Sequence, residues 1–215
     1  MTNRNGSRST FAVACLLSLS GCVGALLGGG KPDALYRFGA TPSGATSQSS
    51  TVPRRILAMP TPEFAPAAGG DRILTVQGNE TSYIKDMRWV TPAPALYAAA
   101  VEATVADRAP DILMASRNSA TSAGAVLTVS IDQFEATYAT SDTTPPVIHI
   151  KGSGILFDRV GKRIIGRHGI SAAEPAAANT GPAIAAAFDV AVGRTVVQLV
   201  DWTNVTMPLP RKGRP

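Results

Sequence analysis

The chain has 215 residues, 45% of them hydrophobic, with 20 Lys+Arg against 15 Asp+Glu and a net charge of +5. So mild a surplus does not point to nucleic acid, which calls for a clustered basic face. No Gly-x-x-x-x-Gly-Lys-Ser/Thr stretch is present to cradle a nucleotide phosphate, so ATP hydrolysis by this chain is not expected.

Taken in order, the sequence opens with Arg4 and Arg8, followed by nine uncharged residues from Phe11 to Leu19. This is the charged and then apolar pattern of a signal peptide, and it falls short of the roughly 20 apolar residues that a spanning helix needs. Leu19-Ser20-Gly21-Cys22 closes the run and resembles the lipobox of bacterial lipoproteins, in which a lipid is joined to the thiol and the chain is cut just before it. The expectation is a cleaved signal over residues 1–21, with Cys22 as the lipidation site and the first residue of a one-domain mature chain of 194 residues. Cys15 leaves with the signal and Cys22 holds the lipid, so neither a disulfide nor a thiolate metal site is expected. With only His149 and His168 as imidazoles, a metal centre would rest on carboxylates, and no metal or cofactor is expected. In many Gram-negative cells an Asp directly after the lipidated cysteine retains a lipoprotein in the inner membrane. Val23 stands there, which points to the periplasmic face of the outer membrane.

Residues 22–34 are glycine-rich and small, and residues 39–51 mix Ser, Thr, Gly and Pro, so both read as flexible for want of apolar area to bury. Ala34 to Phe38 between them reads as a first strand. Arg55 to Met59 and Arg72 to Gln77 read as further strands. Gly78-Asn79 is a hairpin turn signal leading to a short return over Thr81 to Ile84. A first helix is expected with Thr91 as N-cap and Pro92 at its first position, ending at Pro110. Its apolar stripe is Leu96, Ala100 and Ala103, with Tyr97, Val101 and Val105 beside it. After a polar loop over Ser116 to Gly124, Ala125 to Tyr138 reads as a long strand. Its apolar residues change parity between Ile131 and Phe134, which predicts a bulge near Asp132 or Gln133. Val147 to Asp158 and Lys162 to Ser171 then form an antiparallel hairpin. Thr180-Gly181-Pro182 opens a second helix, whose stripe is Ile184, Phe188, Ala191, Thr195, Leu199 and Trp202. Residues 206–215 read as a basic Pro-rich tail after a domain over 35–205, and Arg211, Lys212 and Arg214 there would at most graze anionic head groups. The fold class is α/β in the mixed α+β sense: one domain, with a mixed, mostly antiparallel sheet and two main helices packed on it.

Enzyme signatures are thin. Gly152-Ser153-Gly154 sits inside a strand pattern and lacks the spacing of a nucleophile elbow, so its glycines read as relief of twist or a close backbone approach. His149 and His168 could face each other across the hairpin as a structural pair. Arg88-Trp89 falls at a strand-to-helix junction; Trp89 capping the core is one reading, and a contact surface for a partner is the other, since Trp and Arg weigh heavily in interfaces.

From Leu35 to Trp202 the chain resembles the auxiliary lipoproteins of ABC-type transport systems, the family of the paraquat-inducible protein C, found beside proteins with mammalian-cell-entry (MCE) domains. The residues behind this are the lipobox, Leu35-Tyr36-Arg37-Phe38, Ile56 to Pro60, and Arg72 to Gln77. Tyr83 follows, then Arg88-Trp89 ahead of Pro92 and Pro94, the strand reaching Phe134, the hairpin Ile155 to Ile170 and the Ala-rich closing helix. Thr91-Pro92-Ala93-Pro94 departs from the acidic residue the family often has before its proline. The resemblance implies a periplasmic domain, held at the outer membrane by its lipid, that binds an MCE-domain protein and assists intermembrane transport of lipids or other hydrophobic compounds without catalysis. A homo-oligomer stays open. So do an outer-membrane assembly or lipid-chaperone lipoprotein, which would need an apolar cavity, and an envelope hydrolase, which the missing triad argues against.

Overall fold

The computed structural model describes residues 32–39, 55–116, 121–139 and 143–209. Cys22, the signal, most of the tether, the loop from 40 and the tail from 210 lie outside the described residues. The elements in chain order are β1 (Ala34–Tyr36), β2 (Arg55–Ala58), β3 (Glu63–Phe64), a 3-10 turn (Pro66–Ala68), β4 (Arg72–Gln77) and β5 (Glu80–Trp89). Then come α1 (Ala93–Arg108), β6 (Ile112–Met114), β7 (Ala125–Tyr138), β8 (Val147–Asp158), β9 (Arg163–Pro175) and α2 (Gly181–Thr206).

β7 is the spine. One of its edges is shared by three short strands in turn, all parallel to it: β2 at Ala125 and Val126, β3 at Ser130 and Ile131, and β4 at Ala136 to Tyr138. β8 and then β9 run antiparallel along the other edge. β5 returns antiparallel to β4 through a turn with Gly78 at φ +58°, β1 lies parallel to β5, and β6 lies parallel to β2. The expected mixed sheet with two helices is therefore present. Its antiparallel part is concentrated in the long ladders, while five of the eight pairings, those of the short strands, are parallel.

The register of β7 shifts between Ile131 and Gln133, as its change of parity predicts, so that Phe134 and Ala136 return to the face already occupied by Leu127, Val129 and Ile131. Both helices cover that face, α2 against β8 and β9 with α1 at its side. Aromatic rings fill the space between. Trp89 meets Phe38 at 4.9 Å and Phe188 at 5.1 Å, and Phe134 meets Phe64 at 5.2 Å and Phe188 at 5.0 Å.

Several expectations need correction. β5 runs ten residues, not four, because a left-handed residue, Asp86 at φ +56°, bulges the strand and lets Arg88 rejoin Arg72. Pro92, not Thr91, is the N-cap of α1, since extended backbone at Pro92 delays the helix by one residue. The buried stripe of α1 is Ala93, Tyr97, Val101 and Val105 with Ala100, while Leu96 and Ala103 lie at its margin. On α2 the stripe is buried as expected apart from half-exposed Trp202. That helix has the length and apolarity of a membrane span, but most of its large apolar residues are buried in the domain, Val190 and Val205 excepted. Met207, assigned above to the tail, is buried in the core.

Candidate functional site

Arg88 and Trp89 do not share a surface. Successive strand residues point to opposite sides, so Trp89 turns into the aromatic core, only 2% exposed, while Arg88 turns outward. Arg88 is nonetheless not simply solvated: its guanidinium donates to Asp33 and reaches Asp71 at 3.2 Å. The hydrogen bond to Asp33, then that to Asp71, holds its pKa above the ordinary value. These ion pairs fasten the start of β1 to the β4–β5 hairpin, at the place where the chain enters the domain. Arg72 stacks over the Tyr83 ring at 3.9 Å nearby.

The two histidines are not partners either. His149 pairs with Ala173 and His168 with Gly154, five ladder positions apart and therefore on opposite faces. His168 stacks on Trp202, with ring centres 5.4 Å apart and planes 12° apart, whereas His149 stands on the other face beside Glu135. Gly152 and Gly154 both face the helices. A Cβ at Gly152 would strike the Ser130 carbonyl oxygen, and one at Gly154 would lie 2.5 Å from Leu199 Cδ1. The Gly-Ser-Gly segment thus lets backbone and α2 approach closely, and it presents no nucleophile at a strand-to-helix turn.

What the sequence reading missed is the other face of β7, β8 and β9. No described helix covers it, and its cross-strand rows change character along the ladder. Near Tyr138 the rows are Glu135–His149–Ala173 and Gln133–Lys151–Ser171, and in the middle Ser130–Ser153–Gly169. Toward the hairpin end they become Thr128–Ile155–Arg167 and Val126–Phe157–Ile164. The last row is continued by Ala58 and Ile56 on β2 and Leu113 on β6. Ile164 is 63% exposed, and Val160 in the hairpin turn is 69% exposed. The signal was present in the sequence: Ile155 and Phe157 have the opposite parity to the buried Ile148, Ile150 and Leu156, so β8 carries apolar residues on both faces.

Around the corner from this band lies a groove of about 360 Å³, lined by Ile56, Ala125, Val160, Met207 and Leu209 among others. Its floor is held by Arg55, a cation 6% exposed. Its Nε donates to Asp111 at 2.8 Å, and Nη1 donates to the carbonyls of Asn204 at 2.7 Å and Met207 at 3.0 Å. Arg55 therefore caps the C-terminal end of α2, where carbonyls lack intrahelical donors. The hairpin end is also basic. Lys162, Arg163 and Arg167 make no ion pair among the described residues, and Asp158 is engaged in the turn with the amides of Val160 and Gly161. The registers set Ala34 beside Met87, and Arg88 beside Arg72, while Ala125 lies beside Asp158. With β4 parallel to β7 and Thr75 beside Ala136, the chain entry and the hairpin end are thus separated by roughly eight residues of β7, or about 25 Å.

A family model described as ABC-type transport auxiliary lipoprotein component matches residues 36–200. Two solved structures share the fold. A protein from Xanthomonas campestris is 21% identical, with 80% of this chain and 95% of its own covered and a TM-score of 0.64. An uncharacterized protein is 11% identical, with 83% and 100% covered and a TM-score of 0.62. At these identities the likeness is one of fold alone. Among curated proteins there is no match.

Proposed function

The chain belongs to the family of ABC-type transport auxiliary lipoprotein components, and from that premise we propose an accessory protein that works by binding at the outer membrane. Cys22 holds the lipid, Val23 permits sorting to the outer membrane, and the domain faces the periplasm. There it binds the MCE-type protein of an ABC system and assists the passage of lipids or other hydrophobic compounds between membranes. The family match over residues 36–200 is the observation that supports this reading most. The apolar, basic hairpin end gives it a surface, since exposed apolar patches of this kind accompany interaction sites. A lipid anchor confines the domain to a thin layer, which raises its effective concentration for a partner reaching that layer, so modest intrinsic affinity suffices.

The test is co-purification from membranes. The wild type is expected to bring the MCE-type protein with it and to label with a fatty acid. Cys22→Ser is expected to lose the label and the outer-membrane fraction, and Val23→Asp to move the protein to the inner membrane. A wild type that resides in the inner membrane, or that does not retain the MCE-type protein, would refute the reading.

A further inference from the structure

We propose that the outer half of the β9 edge, Arg163 to Gly169, takes up an extended segment of a protein partner as an additional strand, and that this segment bears acidic side chains among apolar ones. The inference rests on the binding role above and names the surface and the partner's chemistry. β9 is 13 residues long, with a bulge at Ile165, and among the described residues it pairs only with β8, so no strand lies along its outer edge. A long free edge offers a row of backbone donors and acceptors to any extended chain.

Half of that edge is already closed. The Ser171 amide donates to Gln198 Oε1 at 3.1 Å, Gln198 Nε2 donates back to the Ser171 carbonyl at 3.1 Å, and Arg194 donates to the Ala173 carbonyl at 3.3 Å. Two side chains of α2 thus occupy both outward backbone groups of residue 171 and the outward carbonyl of residue 173. Arg167 and Gly169 have the same parity, so their backbone groups also point outward, and no side chain bonds them among the described residues. The open stretch of edge is therefore the part beside the apolar rows.

A strand added there would set alternate side chains on the helix-free face next to Ile164 and Arg167, within the reach of cross-strand neighbours, and would extend the rows begun by Phe157 and Ile155. Arg167 on that same face, and Arg163 and Lys162 where the added strand reaches the hairpin turn, select for carboxylates. A second copy of this chain fits poorly. With residues 171 and 173 occupied, a two-fold antiparallel pairing has to be centred near Arg167, and it then opposes that cation to itself, a destabilising arrangement. An acyl chain fits no better, because it supplies no groups for the edge and the apolar rows form an open strip.

The experiment uses the mature chain and the purified periplasmic domain of the MCE-type protein. Binding is measured together with amide hydrogen exchange, and a photo-crosslinker is placed at Ile164. The expected result is new exchange protection at Arg167 and Gly169, none added at Ser171, and a crosslink to an extended, acidic segment. Gly169→Pro removes only an outward donor at a position where edge strands tolerate proline. That variant and Arg167→Glu are each expected to weaken binding about tenfold or more with an unchanged circular dichroism spectrum. If Gly169→Pro misfolds, Arg167→Glu and the exchange pattern decide. Full-strength binding by Arg167→Glu without protection in β9 overturns strand addition and leaves the binding role standing. A crosslink to a second copy, or to phosphatidylethanolamine–phosphatidylglycerol vesicles in place of the protein, also overturns it. No binding by the wild type overturns both.

Discussion

The two faces of the β7–β8–β9 ladder are made from alternate residues of the same three strands, yet packing explains only one of them. On the helix side β7 and β8 present buried side chains or glycines that something else approaches, down to Leu199 against Gly154, and on β9 half-buried His168 and Glu174 are engaged by Trp202 and Arg194 of α2. On the other side small and polar residues serve the middle and the Tyr138 end, where they would suffice for a solvated sheet. The apolar residues of the hairpin end, Phe157, Val160 and Ile164, satisfy no core, so the fold does not require them. A feature that the fold does not require is where function is to be sought.

Truncating one residue on each face gives the largest expected contrast. Phe188→Ala, or Trp89→Ala at the opposite wall of the same aromatic cluster, is expected to cost about 3 to 5 kcal/mol and to lower the melting temperature by many degrees. Ile164→Ala should cost well under about 1 kcal/mol and show itself in partner binding. A Trp89→Ala variant that keeps its melting temperature would mean that Trp89 is not the core residue described above. Arg55→Ala comes next. It leaves the half-buried Asp111 and the last carbonyls of α2 without their donor, and unsatisfied groups of this kind cost about 1 to 3 kcal/mol. Chemical denaturation measures it, and a loss near zero would mean that water replaces the guanidinium.

Gly152 and Gly169 separate the two faces at a single backbone position each, because they lie on adjacent strands and point to opposite sides. Gly152→Ala forces a Cβ onto the Ser130 carbonyl oxygen and should destabilise by about 1 to 3 kcal/mol. Gly169→Ala meets no atom within 4 Å and should change stability by less than about 0.5 kcal/mol. Equal losses at the two sites would erase the distinction between the faces.

How far the sequence reveals this arrangement depends on the length of each element. β4, β7 and β8 are legible because turn residues such as Asp71, Gly78, Gly124 and Pro146 mark their ends, and the bulge after Ile131 is legible because it inverts parity. β3 and β6, at two and three residues, are too short to have a period, and β5 is lost halfway because Asp86 interrupts its alternation. The candidate surface was half legible. Apolar residues of both parities on β8 mark a second face, but the plugging of the β9 edge by Gln198 and Arg194 depends on the angle at which α2 crosses, which no local pattern encodes. Arg55 was wholly illegible, since its partners lie 56 and 149 residues away and nothing near it marks a buried cation.

The smallest expected effect concerns the tie between the helices. Arg108 Nε and Nη2 donate to Asp201 at 2.9 and 2.7 Å, joining the last turn of α1 to α2 at a surface where both groups are about half exposed. The hydrogen bond from Arg108 is the main cause that holds the Asp201 pKa below its ordinary value of 3.8, with partial burial acting against it. A depressed folded pKa contributes stability that is fully present above the unfolded value, near 3.9, and is lost as the pH falls through the folded one. The difference in melting temperature between wild type and Asp201→Asn should therefore stay constant from neutrality to about pH 4 and shrink below it, and added salt should reduce it throughout, as for any exposed pair. A difference that grows on acidification would show that the carboxylate is not stabilised by Arg108. The same acid range would protonate carboxylates on a partner strand facing Arg167. Partner binding should thus weaken below about pH 4 even in Asp201→Asn, where the helix tie no longer titrates.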